Sequence, residues 1–451
     1  MSTLPLLGRV SNLGRLPIHG RPDYWTTLGR IQSGMVLDFT SATISDTLAA
    51  RGFTFTRSGA TATRVNSSGV LETVAANTLR IDHDPTTLAC LGGLFEEAST
   101  NAIRNSTMVG AAAGSPGTLP TNWTFSTQAG VTASVTATGT ENGIAYVECR
   151  FVGTASTAGD LRVSFEANTN VAASSGQSWT ESAYFALANG SVPLGRTFNI
   201  TINQRNSGGS QIVANQSTNI ATSLSSTLRR FSFSVASTDA STAFIHPYFG
   251  CFIGVGAVVD FTIRIGAPQL EQKAFATSYI PTSTAAVTRN SDALTLSDLT
   301  RIGYSASTGT LVAQGVINGQ SASVYPALAA LGMGASATDE MLLYRNAANN
   351  RFVFDSKVAN VTQFSASNTT TVAVGTAYKT AAAWAVNDAA HTTSGAAPAT
   401  DTSGSLSTII DRMSIGGYQA RGGGTSGRQW ISRVEYYPRR LTNAELQTLT
   451  T

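Results

Sequence analysis

The sequence predicts an all-β protein: jelly-roll or β-sandwich domains in tandem, with an extended N-terminal arm and a short C-terminal helix. Three observations predict this. In Val259-Asp260-Phe261-Thr262-Ile263-Arg264-Ile265, apolar and polar residues alternate without a break; that is the period of a strand with one face in a core. Similar short runs recur along the chain between Gly, Pro, Asn and Ser clusters, the pattern of a sandwich or barrel. Only 12% of the 451 residues are charged, while 42% are hydrophobic, so large cores are covered by a surface of Ser, Thr, Asn and Gly.

Residues 1–34 read as an attachment arm. Gly8-Arg9, Gly14-Arg15 and Gly20-Arg21 recur every six residues, and Gly29-Arg30 breaks the period. Arg9, Arg15, Arg21 and Arg30 stand against Asp23 alone, so this segment carries the whole net charge of +3. Glycine lets a backbone approach closely and arginine offers a rigid donor fork, which suits docking along a partner surface. A short basic head is not the broad, aromatic-studded basic face of a nucleic-acid-binding domain.

Residues 35–105 read as short strands broken by turns, a segment expected to pack with the next domain. Phe53 and Phe55 alternate with Thr54 and Thr56, and Asn66-Ser67-Ser68-Gly69 marks a turn. Residues 106–290 form the expected jelly roll, with strands at Val131 to Thr138, Arg230 to Val235 and Val259 to Ile265. Residues 291–451 form a second sandwich. Its strands are expected at Thr310 to Val316, Met341 to Arg345, Arg351 to Phe354, Lys379 to Val386, Arg412 to Ile415 and Gln429 to Tyr437, with a loop at Gly422-Gly423-Gly424. Thr442 and Glu445 then spell a capping box, with Leu441 and Leu446 at the staple positions, so a short helix follows. It is too short to stand alone and should pack on the sandwich.

Few residues suggest chemistry. The three cysteines, Cys90, Cys149 and Cys251, are far apart, and no C-x-x-C occurs, which supports neither a zinc site nor a disulfide framework. No phosphate loop, nucleophile elbow or H-E-x-x-H is present, and no strand carries paired carboxylates. No cofactor, metal or catalytic set is expected. The absence of a run of about 18 apolar residues argues against a membrane helix, and the start lacks a signal-peptide core, so assembly in the cytoplasm is expected.

The densest ionisable run is Asp82-His83-Asp84-Pro85. It can be read as a catalytic or metal site, or as an Asx-type turn fixed by Pro85 with a carboxylate pairing Arg80; the turn is the favoured reading. The large aromatics Trp123, Trp179, Tyr184, Tyr248, Trp384 and Trp430 are either core or, if exposed, platforms for sugar rings. Trp123, which follows a loop, is the best candidate for exposure, and Trp430, inside a strand, for the core. Trp123, Tyr184 and Tyr248 are the glycan-binding candidates.

Several blocks carry a resemblance. Phe55-Thr56-Arg57, Asn77-Thr78-Leu79-Arg80-Ile81-Asp82-His83-Asp84-Pro85, Gly93-Leu94-Phe95-Glu96-Glu97 and Thr100-Asn101 come first. Gln269-Leu270-Glu271, Phe275-Ala276-Thr277-Ser278-Tyr279-Ile280-Pro281-Thr282 and Val287-Thr288-Arg289 follow. Together they resemble tailed-phage structural proteins of the fibre, spike or minor-tail kind. The region between is similar to carbohydrate-binding jelly rolls. The tail, through Asp411 to Gly417, Ile431 to Val434 and Tyr436 to Thr442, looks like the end of a concanavalin- or laminin-G-like domain. The resemblance implies a non-enzymatic virion surface protein that docks on portal, capsid or tail by residues 1–34. It further implies host polysaccharide as a ligand and a homo-oligomer, with a trimer favoured. Arg80, Asp82, Asp84 and Glu97 are then structural residues, with Arg80 and Glu97 expected as a buried pair. A head decoration, head fibre or tail adaptor without receptor role is the alternative, and a polysaccharide depolymerase is a third reading.

Overall fold

The computed structural model describes residues 34–59, 62–213, 216–321, 325–334, 336–418 and 427–451. The arm residues Arg9, Arg15, Arg21 and Arg30, and the glycine loop 422–424, lie outside them. Residues 33–451 form one compact unit, and its described residues are strands joined by turns, with two short α-helices. The all-β class follows directly from the alternation in the sequence. Val259, Phe261, Ile263 and Ile265 are buried in a core, while Asp260 is exposed.

The unit contains two sandwiches, and one is inserted into the other. In the host sandwich, one sheet runs in the order Ala399–Asp401, Asp388–Thr393, Ala377–Ala385, Thr308–Gly319, Arg428–Tyr437, Cys90–Glu96, Arg80–His83. Met35–Asp38 pairs with the far half of Arg428–Tyr437. The facing sheet runs Thr54–Thr56, Ala293–Leu296, Arg412–Ile415, Ala327–Met333, Ser336–Asn346, Arg351–Val358, Val361–Ala366. Between them lie Phe39, Phe95, Leu311, Leu331, Phe352, Phe354, Trp384, Ile415 and Tyr436. Trp384 stacks on Phe354 at 5.6 Å. A Cβ on Gly309 would sit 2.3 Å from the Trp384 ring, so only glycine fits at that point of the strand.

The inserted jelly roll has two antiparallel sheets. One is Arg229–Ala236, Ser178–Gly190, Val258–Glu271, Ile144–Thr154, Val131–Glu141; the other is Gln216–Asn219, Asn199–Arg205, Phe244–Ile253, Gly159–Ser164, Thr124–Ser126. Its separate core is aromatic: Phe151 stacks on Phe261 at 5.3 Å, and Phe198 meets Phe249 edge-on.

The connection between the two is a small ladder. Ser99–Asn101 pairs antiparallel with Val287–Arg289, so the chain leaves the host sandwich and returns to it at adjacent points. Residues 35–105 touch the insert, as where the Leu71 amide donates to the Asn142 carbonyl, and they are also part of the host sandwich. Their strands Met35–Asp38, Cys90–Glu96 and Arg80–His83 complete a sheet whose other members come from residues 308–437.

Two helices complete the host. Asn443–Thr450 is capped as expected: the Glu445 amide donates to Thr442 Oγ1 and the Thr442 amide to Glu445 Oε2. Leu441 and Leu446 are fully buried, and the helix lies on strands Ala377–Ala385 and Asp388–Thr393. The helix Ile44–Arg51 was not expected. It buries Ile44 and Leu48 and ends on Gly52, whose φ of 78° is the left-handed conformation that closes a helix.

Candidate binding cleft

The residues of the resemblance blocks converge on one buried ionic cluster. Arg80 meets Asp292 at 2.5 Å and Glu96 at 2.8 Å; Arg57 meets Asp292 at 3.0 Å; Arg289 and Arg428 approach Glu96 at 3.4 and 3.5 Å. The side chains of Arg57, Arg80, Arg289, Glu96 and Asp292 are all fully buried. Burial by itself would raise the Glu96 carboxyl, but Arg289, Arg80 and Arg428 hold it well below the usual carboxylate range. Burial likewise opposes the charge on Arg80, and Asp292 with Glu96 overcomes it.

Backbone groups complete the satisfaction of these charges, as a buried ion cluster requires. The Ser278 amide donates to Glu96 at 2.7 Å and the Ser278 hydroxyl at 2.6 Å. Arg289 donates to the Glu97 carbonyl, and Arg57 to the carbonyls of Ala75 and Thr78. Ser278 follows the last long strand of the insert and Glu96 belongs to the host, so the cluster joins the two sandwiches.

The expected pair of Arg80 with Glu97 is therefore corrected. Arg80 pairs with Glu96 and Asp292, and Glu97 pairs with Lys273. Adjacent strand residues point to opposite faces, so a shift of one position selects a different partner. The turn reading of Asp84 fits: its Oδ1 accepts from the amides of Thr86 and Thr87 at 2.9 and 2.7 Å. Those backbone bonds hold its carboxyl below the ordinary value. Asp82 is not Arg80's partner in that turn. Its two oxygens accept from the Val65 amide at 2.7 Å and from Trp430 Nε1 at 2.8 Å.

Beside this cluster, where host and insert meet, lies a cleft of about 540 Å³. The host contributes Arg64, Asp82, His83, Arg428 and Trp430; the insert contributes Ile144, Tyr184, Arg229 and Arg230; Ser278 and Tyr279 lie at the junction. Arg428 and Trp430 are two apart on one strand, so they share a face, and the Arg428 guanidinium lies over the indole at 4.9 Å. Tyr184 sits opposite Arg230 across two strands. Burial raises the Tyr184 phenol, with Arg230 and Arg428 pulling the other way. Burial pushes the Arg428 guanidinium below its ordinary value, and the like charge of Arg230 adds to that shift.

Of the three expected aromatic platforms, Tyr184 alone reaches this cleft. Trp123 is a correction: it is 5% exposed, its Nε1 donates to the Asn105 carbonyl, and its ring meets Phe165 at 4.8 Å. Trp430, expected in the core, is half-buried in the cleft wall. Tyr248 is on the other sheet of the insert, 1% exposed, its ring covered by the Arg162 guanidinium at 4.7 Å. Next to it Arg205 donates to His246 Nδ1 at 3.1 Å. Burial, together with Arg205 and Arg162, pushes His246 down to about 3, so the ring is neutral. Tyr248 is therefore covered and offers no open ring.

Sequence reasoning missed Arg230, Arg428 and the outward role of Trp430. The spacing of Arg428 and Trp430 was the available signal. Among the described residues no group of three His, Cys, Asp or Glu is placed to hold a metal, and no helix is long and apolar enough to cross a membrane. Cys149 and Cys251 are buried and unpaired, and burial drives the Cys251 thiol up to about 12.

No family model and no curated protein matches the chain. Parts of it are similar to solved structures. One is the Ruminococcus gnavus IT-sialidase CBM40 bound to α2,3-sialyllactose, at 16% identity and a TM-score of 0.28, over 33% of this chain and 84% of that one. Another is the CBM22-1 xylan-binding domain of Paenibacillus barcinonensis Xyn10C, at 14% identity and a TM-score of 0.22, over 40% and 94%. A third is the heptameric SAP-like pentraxin of Limulus polyphemus, at 13% identity and a TM-score of 0.27, over 32% and 70%.

Proposed function

We propose that this chain is a bacteriophage virion surface protein, a fibre or spike, that docks by residues 1–34 and binds host-surface glycan in the cleft between its two sandwiches. One observation carries the binding reading. The cleft combines aromatic rings, Tyr184 and Trp430, with hydrogen-bonding groups on both walls, His83 and Arg230 among them. A sugar ring has an apolar face and a polar edge, and a cleft of this size and lining suits that combination. The phage reading is supported by the resemblance blocks, whose residues build the joint that shapes the cleft. A trimer would offset weak single-site affinity by multivalency.

The test is binding of the purified full chain to an array of bacterial surface polysaccharides. Binding that is weakened by Tyr184→Ala is expected. Absence of binding to every polysaccharide, by the oligomer as well as the monomer, overturns the reading.

A second reading, a decoration or adaptor that packs on other virion proteins, is favoured by one feature. Leu194 is fully exposed, and Phe252, Val255 and Val258 are each at least half exposed. Arg196, two residues from Leu194, lies over the Phe252 ring. Exposed apolar groups of this kind mark contacts with proteins. Particle imaging separates the two: many copies buried by this end on the capsid favour decoration, and a few copies at the tail tip favour a receptor binder.

A further inference from the structure

We infer that the cleft selects an acidic glycan, with an anionic group of the sugar held between Arg230 and Arg428; this rests on the glycan reading above. The argument begins with the charged residues of the lining. Arg64, Arg229, Arg230 and Arg428 face Asp82 and Asp84. The two carboxylates are already engaged by their own chain. Asp82 spends both oxygens on the Val65 amide and the Trp430 indole, and Asp84 holds the turn amides of Thr86 and Thr87.

The arginines are less engaged. Arg64 is neutralised by Glu72 at 2.8 Å. Arg229 and Arg230 have no carboxylate partner among the described residues. Arg230 makes one side-chain hydrogen bond, to Ser182 Oγ at 2.9 Å, and its Nε is buried without an acceptor. Arg428 donates one NH to the Ala276 carbonyl and shares Glu96 with Arg80 and Arg289. Arg230 and Arg428 thus border the same cleft, with terminal donors left over. The Nε groups are closed off, so it is the terminal NH groups of the two forks that are left to donate to an oxyanion supplied by a ligand.

Geometry favours a sugar over a simple anion. Arg230 lies opposite Tyr184 and Arg428 lies over Trp430, so each donor fork stands next to an aromatic ring. A ring that stacks at Tyr184 would carry its exocyclic carboxylate or phosphate toward the forks. Arginine presents parallel N–H groups that match either anion, and the experiment distinguishes the two.

The full chain is titrated calorimetrically with polygalacturonate, hyaluronate, polysialate and dextran phosphate. Each is paired with its neutral counterpart, carboxyl-reduced or unphosphorylated. The expected result is that an acidic polymer binds roughly tenfold to hundredfold more tightly than its neutral form, the range of one charge-assisted hydrogen bond. Preference for the uronates and sialate marks a carboxylate ligand; preference for dextran phosphate marks a phosphate. Arg230→Gln should abolish the preference, and Arg196→Gln, which removes the same charge outside the cleft, should leave it intact. Equal binding of acidic and neutral forms overturns the acidic inference and leaves the glycan reading standing. A preference that survives Arg230→Gln overturns the site. Binding to no polymer here and to nothing on the array removes both readings.

Discussion

Glu96 is the residue on which the joint turns. It receives three arginines and both donors of Ser278, and removing one partner from such a cluster leaves uncompensated buried charge. Glu96→Gln should lower stability by about 3–5 kcal/mol, read as a fall in the urea midpoint. The same carboxyl sets a pH dependence. Its value in the fold lies below the unfolded value of about 4.3, so the contribution is fully present above that pH and declines as pH falls toward and below it. The wild-type midpoint should drop between about pH 5 and pH 3, and the drop should be smaller in Glu96→Gln; equal slopes would remove Glu96 as the cause. This residue also marks the limit of sequence reading. That Arg80 is structural was legible from its motif. Its partner was not, because Glu96 and Glu97 are chemically alike and only the strand's face separates them. Trp123 and Trp430 exchanged roles for a related reason: exposure depends on what packs over a ring, and a local pattern does not carry that.

At the scale of elements, what is local was legible and what is tertiary was not. Strands such as Arg412–Ile415 and Arg428–Tyr437 follow from alternation and β-branched or aromatic content. The terminal helix follows from a capping box whose partners are three residues apart. Thr442→Ala should therefore cost about 1 kcal/mol, measured by urea denaturation. No loss would mean that the packing of Leu441 and Leu446 alone holds the helix. The helix Ile44–Arg51 gave no comparable signal. Its Thr43 N-cap makes no side-chain capping bond, and what secures it is the burial of Ile44 and Leu48 against the host core.

At the scale of the molecule, the sequence order conceals the architecture. Val287 sits opposite Asn101 in one ladder, although the whole insert separates them in the chain; closure over that length leaves no periodic trace in sequence. An insert whose ends meet in this way and which has its own aromatic core is expected to fold independently. The fragment 102–286 keeps Phe151, Phe198, Phe249 and Phe261 together and should show a cooperative thermal transition by circular dichroism. It should nevertheless bind glycan at least roughly tenfold more weakly than the full chain, because loss of one charge-assisted contact alone has that effect. The fragment retains Tyr184 and Arg230 but lacks Asp82, Arg428 and Trp430. A fragment that folds and binds as tightly as the whole would move the site onto the insert alone. A fragment that does not fold would show that the insert depends on the Glu96–Ser278 joint, and the full chain with Glu96→Gln should then lose the insert's transition together with the host's.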